Sequence, residues 1–489
     1  MLKLLPAMPL LALALGDPTP ELIRGLSAMN AASLAAEGLP YSGVAPGARF
    51  VVYGRALGPV EPVTQENADA TGLAGVTVRV TTGGKTVDAW VMSVSAKRIE
   101  ALLPLTAETG AGRVALTVNG TDLSAPIRVV DKAFGIQDAR VKVASPGELA
   151  QVRGTGLGRD LTPKGVEVIL AGHAIPAGGT ARFASGWETV SFDVPEGVTG
   201  CSIPMAIRTG GALSNFSTLA VGDCPDNEGS SEDKRIGGLQ LSRTESTFQS
   251  VDMKIDSGSG WFVKGGYGSA VPASFASCTV QYWIEQDMAT PPTVGLDAGR
   301  IDVTGPRGSR ELEQQSIGAY ASALGQMMNL PQPIPGFPGG ELYLDPGDYT
   351  FAGSGGADVG PFTVQVKVPE PAVWKNRGEL GTVDRSKDLK VEWSNATEEQ
   401  LVMVSGISVT AQRPAASAVF TCYERGDKGA LTVPAAILSA LPATPAANAD
   451  SSMLMMGVST MKPAEFSASG LDHGTADFSQ SIMRATKYK

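Results

Sequence analysis

The chain reads as all-β, a series of antiparallel β-sandwiches, and three observations predict it. Strand-like runs of about five to eight residues alternate apolar and polar side chains, as at Val76, Val78 and Val80. Glycine and proline, 59 and 33 of 489 residues, punctuate those runs at a frequency above ordinary usage yet below that of low-complexity chains. A block of residues also recurs about 100 positions further on. At roughly 100 to 200 residues per domain the length implies three or four domains, and 43% apolar residues suffice for their cores.

At the N-terminus Lys3 precedes an apolar run from Leu4 to Leu15, and Ala14 and Gly16 lead into Asp17-Pro18. This is the pattern of a secretory signal peptide over residues 1–16, cleaved after Gly16. Two prolines in the run, Pro6 and Pro9, argue against a buried strand or helix there. No later segment supplies the roughly 20 apolar residues of a spanning helix. The mature chain is therefore expected to carry no integral membrane span and to be secreted or held at the cell surface.

The recurring block opens at Pro46-Gly47 and again at Pro146-Gly147; the first copy ends in Gly54-Arg55-Ala56-Leu57-Gly58 and the second in Gly154-Thr155-Gly156-Leu157-Gly158. In the same order, Gly75–Val80 matches Gly165–Leu170, Ile99–Pro104 matches Val190–Pro195, and Gly112–Asp131 matches Gly200–Asp223. Asn119-Gly120 sits where a hairpin turn needs positive φ. Each unit of about 90 residues carries roughly seven strand-like runs, which predicts an immunoglobulin-like sandwich. The expected units are sandwich 1 over 27–133 and sandwich 2 over 134–224, arranged as beads on a string.

The Pro-Gly opening, the Gly-x-x-Leu-Gly strand end, the Gly-Val-x-Val strand and the last hairpin carrying Val118-Asn119-Gly120 or Ser214-Asn215-Phe216 resemble the IPT/TIG branch of the immunoglobulin-like fold. More narrowly, Ala28-Met29-Asn30-Ala31-Ala32-Ser33 followed by Val44-Ala45-Pro46-Gly47 resembles an uncharacterised IPT/TIG-like domain of bacterial exported proteins. The resemblance covers about residues 27–223, and it departs from the usual pattern at Ser95-Ala96-Lys97-Arg98-Ile99. It implies an accessory or surface module and no catalytic residue.

Residues 225–236 are polar and without apolar period, the expected linker. Beyond them Phe275–Trp283, Arg300–Thr304 and Gly360–Pro369 alternate as strands, Asp345-Pro346-Gly347 is a turn entering a strand, Ser257-Gly258-Ser259-Gly260 has the look of a hairpin turn, and 331–340 is an insertion loop. The last segment alternates at Leu389–Trp393, Leu401–Gly406, Ala418–Cys422 and Met453–Val458, with a short helix expected over Pro434–Leu441. These segments predict sandwich 3 over 237–372 and sandwich 4 over 373–489, a paired second half, with the alternative that the two form one unit.

Four cysteines without a CxxC pattern fit an exported disulfide protein better than a zinc or redox site. Four cysteines allow three pairings; Cys201 and Cys224 flank one hairpin, which leaves Cys278 for Cys422. Thirty-nine basic against 49 acidic residues, with no basic cluster, speak against a nucleic-acid partner.

Chemistry is harder to place. Asp297, Asp302, Glu311, Glu313, Asp345, Asp348 and Asp358 crowd the third segment, and a glycosidase would need two carboxyls converging. Asp345, Asp348 and Asp358 could alternatively offer Ca2+ a loop site, although the expectation is no cofactor and no metal. His173 and His473 read as turn residues, and no Gly-x-Ser-x-Gly elbow stands at a strand-to-helix turn. The six tryptophans are scattered singly and mostly read as core; Trp187, after Ala184-Ser185-Gly186, is the one expected to be exposed for a ligand. The leading expectation is a non-enzymatic exported structural or adhesion protein whose partner is a protein or a glycan. The alternatives are a carbohydrate-binding or accessory module of an extracellular hydrolase system, and a hydrolase with a carboxylate site in 235–489.

Overall fold

The computed structural model describes residues 19–138, 140–170, 173–224, 234–248, 251–265, 275–284, 293–328, 341–411, 414–446 and 451–489. The expected signal segment 1–16, the loop 331–340 and most of the linker 225–236 lie outside the described residues. The fold is all-β, opening with two immunoglobulin-like sandwiches in tandem. Among the described residues the one α-helix is Ala435–Leu438, shorter than the segment the sequence suggested, with Pro434 at its N-cap.

In the first sandwich one strand serves both layers. Lys85–Val94 pairs through its first half with Val76–Thr82 and through its second half with Arg98–Leu102, bending at a bulge between Val91 and Ser93. Val76, Val78 and Val80 point into the core with Val114, Leu116 and Val118, and burying each such side chain contributes roughly 1.5–3 kcal/mol. Asn119 and Gly120, with φ of 48° and 85°, close the Gly110–Val118/Thr121–Val129 hairpin, as a two-residue turn requires. The second sandwich repeats the plan around Val152, Val168, Phe192 and Ile207. The equivalence extends to its edges: Glu21 pairs with Arg55 in the first unit as Gly135 pairs with Thr155 in the second.

The second half is organised by one long sheet. Its order is Ser277–Ile284, Ala416–Arg425, Gln400–Val409, Met453–Thr460, His473–Ala485, Arg235–Phe248, Val251–Lys264, Ala319–Met328 and Gln314–Ser316. The Arg235 strand pairs in parallel with the His473 strand from Ile236↔His473 to Thr247↔Arg484, so segments 237–372 and 373–489 share a sheet. One end of its inner face packs on the four-stranded sheet Gly308–Leu312, Ile301–Gly305, Gly347–Gly353 and Phe362–Val368. The other end is covered by Trp374, Trp393, Leu438 and the N-terminal residues Met29 and Leu39.

The string Ser257–Gly260 is not a hairpin turn, as its composition suggested, but the middle of the Val251–Lys264 strand. Gly258 and Gly260 face inward where a Cβ would lie 2.7 Å from Leu312 Cδ2 and 3.0 Å from Leu239 Cδ2. Packing, not a bend, demands glycine there.

Candidate functional site

Trp187, the expected exposed ligand contact, is half-buried at the junction of the two N-terminal sandwiches. The Arg49 and Arg153 guanidiniums lie 4.6 and 5.1 Å from its ring centroid. Arg49 is itself fixed: it pairs with Glu100, donates to Ser185 O at 2.8 Å, and its backbone N–H donates to Thr155 Oγ1 at 3.0 Å. Beside it Glu188, fully buried, accepts from Arg182 Nε at 2.7 Å and Leu157 N–H at 2.7 Å, and burial pushes its carboxyl above the usual carboxylate range. Trp187 is thus part of a joint.

Residues of the Ala28–Ser33 string belong to the same joint. Asn30 is buried; its amide donates to Ala133 O and Thr155 O, each at 2.9 Å, and its Oδ1 accepts from Ala32 and Ser33 backbone N–H groups at 2.9 and 3.1 Å. The side chain saturates its hydrogen-bonding capacity in tying the entering segment of sandwich 1 to sandwich 2.

Asp345, Asp348 and Asp358 do not converge. Asp345 pairs with Arg307 at 2.6 Å. Asp348 stands at the start of the Gly347–Gly353 strand, whereas Asp358 lies in the loop past its far end, roughly 20 Å away along an extended strand. Asp358 instead accepts from Asp297 N–H at 2.9 Å, and Asp297 from the Gly299 and Ala357 N–H groups at 3.0 and 3.2 Å. Those backbone donors hold the Asp297 carboxyl below its usual range. Asp302 and Glu311 are cross-strand neighbours, but Arg300 lies within 2.8 and 3.3 Å of them and bridges the two. His173 and His473 each open a strand and stand exposed. Among the described residues no group of three or more His, Cys, Asp or Glu could hold a metal ion.

Cys201 is bonded to Cys224 and Cys278 to Cys422. The second bond joins directly opposed residues of the Ser277 and Ala416 strands, whose Cα atoms are 4.0 Å apart. Beside the first lies a shallow depression of about 380 Å³ lined by Lys142, Val143, Ala144, Gly222 and Asp223. It offers no convergent acid, base or nucleophile.

The arrangement with the strongest binding character is one the sequence did not announce: the outer face of the long sheet. Trp261 is 46% exposed although it sits mid-sheet. Its ring lies over Gly238, the residue directly across in the Arg235 strand; a Cβ on Gly238 would come 2.5 Å from the indole Nε1. The glycine opposite thus gives the indole room to lean over the neighbouring strand while nearly half of the residue stays exposed. Level with it are Thr475 and Ala319. The next row holds Asp477, Gln240 and Ser259, where Gln240 Nε2 donates to Asp477 Oδ1 at 3.0 Å and burial raises the Asp477 carboxyl. The row beyond is a serine row across four strands, Ser459–Ser479–Ser242–Ser257, with the Ser242 and Ser257 hydroxyls 2.8 Å apart. The sequence signal was the alternation Ser257, Ser259, Trp261 against Gly238, Gln240, Ser242, legible only once the strands were paired. Trp283 is equally exposed on the edge strand, while Trp374 and Trp393 are core as expected.

No family model matches the chain, and no curated protein matches its sequence. Solved structures do give matches. The SGBP-B of a Bacteroides ovatus mixed-linkage glucan utilization locus, in complex with a mixed-linkage heptasaccharide, is 14% identical over 58% of this chain and 71% of that one, with a TM-score of 0.20. SGBP-B from a complex xyloglucan utilization locus in Bacteroides uniformis is 10% identical over 87% and 88%, TM-score 0.17. A tandem from titin is 10% identical over 71% and 98%, TM-score 0.15.

Proposed function

We propose that the protein is a non-catalytic, extracytoplasmic multi-sandwich protein that binds a glycan on the outer face of its long sheet. The observation that carries this reading is Trp261, lodged against Gly238 and 46% exposed, one row from the Gln240–Asp477 pair. An aromatic face packs against the apolar C–H face of a sugar, and fixed amide, carboxylate and hydroxyl groups beside it meet the ring hydroxyls. Two disulfides favour an oxidising compartment. The non-catalytic part is supported by the carboxylates: Asp302 and Glu311 are held by Arg300, Asp345 by Arg307, and Asp297 and Asp358 by backbone N–H groups. No helix among the described residues is long and apolar enough to cross a membrane. The first two sandwiches are, on the sequence resemblance, of the IPT/TIG branch and serve as the spacer that presents the long sheet.

Of the two non-enzymatic readings, glycan binding is favoured over adhesion to a protein because Gln240, Asp477 and a row of serines stand on the same face as the exposed aromatic. Affinity gel electrophoresis against soluble polysaccharides tests it. Retardation by at least one of them, weakened in Trp261→Ala and kept in Trp187→Ala, is the expected result; retardation lost equally in both would move the site away from this face.

A further inference from the structure

We propose, resting on that glycan reading, that the ligand is a neutral linear glycan gripped through an internal stretch of its chain, one end of the stretch on Trp261 and the other on the serine row. The first argument is span. Trp261 and Ser257 are four residues apart on one strand, about 13 Å at the strand rise, and the serine row runs three strand spacings across, about 14 Å. A single sugar ring cannot touch both features. A ligand that uses the whole patch is an oligomer.

The second argument is shape. The residues around the indole are Gly238, Ser259 and Ala319, and the column on the far side of the Val251 strand is Ala319, Ala321 and Ala323. Nothing on these rows stands taller than the aromatic to close off a chain end. A site for a terminal sugar needs an enclosing wall, whereas a flat patch open at both ends accepts a segment with chain continuing past it.

The third argument is charge. The three rows Thr475–Gly238–Trp261–Ala319, Asp477–Gln240–Ser259–Ala321 and Ser479–Ser242–Ser257–Ala323 hold no lysine or arginine. The formal charge they carry is the Asp477 carboxylate, and Glu465, level with Thr475, adds another at the margin. Uronates, sulfates and phosphates would meet like charge with no guanidinium or ammonium to pair with. Hydroxyl-rich neutral sugars find acceptors in Asp477 and both donors and acceptors in Gln240 and the serines.

The test is isothermal titration of the full chain with a neutral β-glucan, with its oligomers from the single sugar to the hexasaccharide, and with polygalacturonate and heparin as anionic probes. The expected result is affinity that climbs about tenfold or more between disaccharide and tetrasaccharide, no dependence on a free chain end, and no measurable binding of the anionic probes. Trp261→Ala and the double variant Ser242→Ala/Ser479→Ala each lose about tenfold on the polymer, and the serine variant loses nothing on the disaccharide. Because the serine variant leaves the aromatic in place, it keeps the proposal testable if the tryptophan variant unfolds. A single sugar that binds as tightly as the polymer, or heparin that outcompetes it, overturns this inference while the glycan site stands. Polymer binding untouched by Trp261→Ala, with the variant folded, overturns the placement of the glycan on this face, and a failure to bind any neutral glycan overturns the glycan reading itself.

Discussion

Asp297 shows how a carboxylate crowded among other acids can be structural. Its oxygens accept the Gly299 and Ala357 N–H groups, and Asp358 returns a carboxylate to the Asp297 N–H, so two loops are clasped by side chains that mimic a strand pair. The sign of the pH dependence follows from the donors. They favour the ionised form, so the folded-state pKa of Asp297 is depressed, and its stabilisation is present above the unfolded value of about 3.9 and lost as pH falls through the folded one. An NMR titration of the Gly299 and Ala357 amide resonances should therefore show a midpoint below the ordinary aspartate value, and Asp297→Asn should flatten it. A midpoint at or above that value contradicts the clasp. At Gly238 the same scale works through space: Gly238→Val is expected to tilt the indole off the sheet and raise quenching of its fluorescence by acrylamide, with the strand ladder, read by far-UV circular dichroism, unchanged.

At the scale of elements, the joint between the two N-terminal sandwiches converts a repeat into a rigid pair. Arg49 comes from the Arg49–Arg55 strand of the first unit, Arg153 from the Leu149–Thr155 strand of the second, and both guanidiniums meet over Trp187. Asn30 supplies four hydrogen bonds at the same seam. Asn30→Ala leaves two carbonyls without these donors, so a loss of about 2–4 kcal/mol in thermal or urea unfolding is expected; a loss under about 0.5 kcal/mol would mean water replaces the amide. Arg49→Ala leaves the buried Glu100 with Arg98 alone and removes the donation to Ser185 O and the stacking on Trp187, and small-angle scattering should then show a longer particle as the two units come apart. These elements also show what the sequence could say. Strands and their repeat were legible because a half-buried strand must alternate and a hairpin must find residues tolerating positive φ, as Asn119 and Gly120 do. The role of Trp187 was not, because Arg49 lies 138 positions away. Trp261 was hidden for the opposite reason. Its neighbourhood of glycines and serines resembles turn composition, and only the packing of Leu312 and Leu239 against Gly258 and Gly260 shows those glycines to be mid-strand.

For the whole molecule, connectivity decides cooperativity. The Arg235 strand finds its parallel partner in the His473 strand, and the Ser277 strand pairs antiparallel with the Ala416 strand. Neither 237–372 nor 373–489 therefore completes the long sheet alone, and such distant pairings make loop-closure entropy a main cost of folding. The Cys278–Cys422 bond, closing 144 residues, acts on that cost directly. On the chain-entropy account it destabilises the unfolded chain by about 5 kcal/mol, against about 3 kcal/mol for the 23-residue closure by Cys201–Cys224. Replacing Cys278 and Cys422 together by alanine should lower the stability of the second half by several kcal/mol, and the other pair should matter less. Because one sheet runs through both segments, hydrogen-exchange mass spectrometry in rising urea should show Arg235–Phe248 and His473–Ala485 losing protection at a single midpoint in either variant. If residues 373–489 exchanged at lower urea while 237–372 stayed protected, the shared sheet would not be the cooperative unit, and the Trp261 face, which takes residues from both segments, would lose its rigid support.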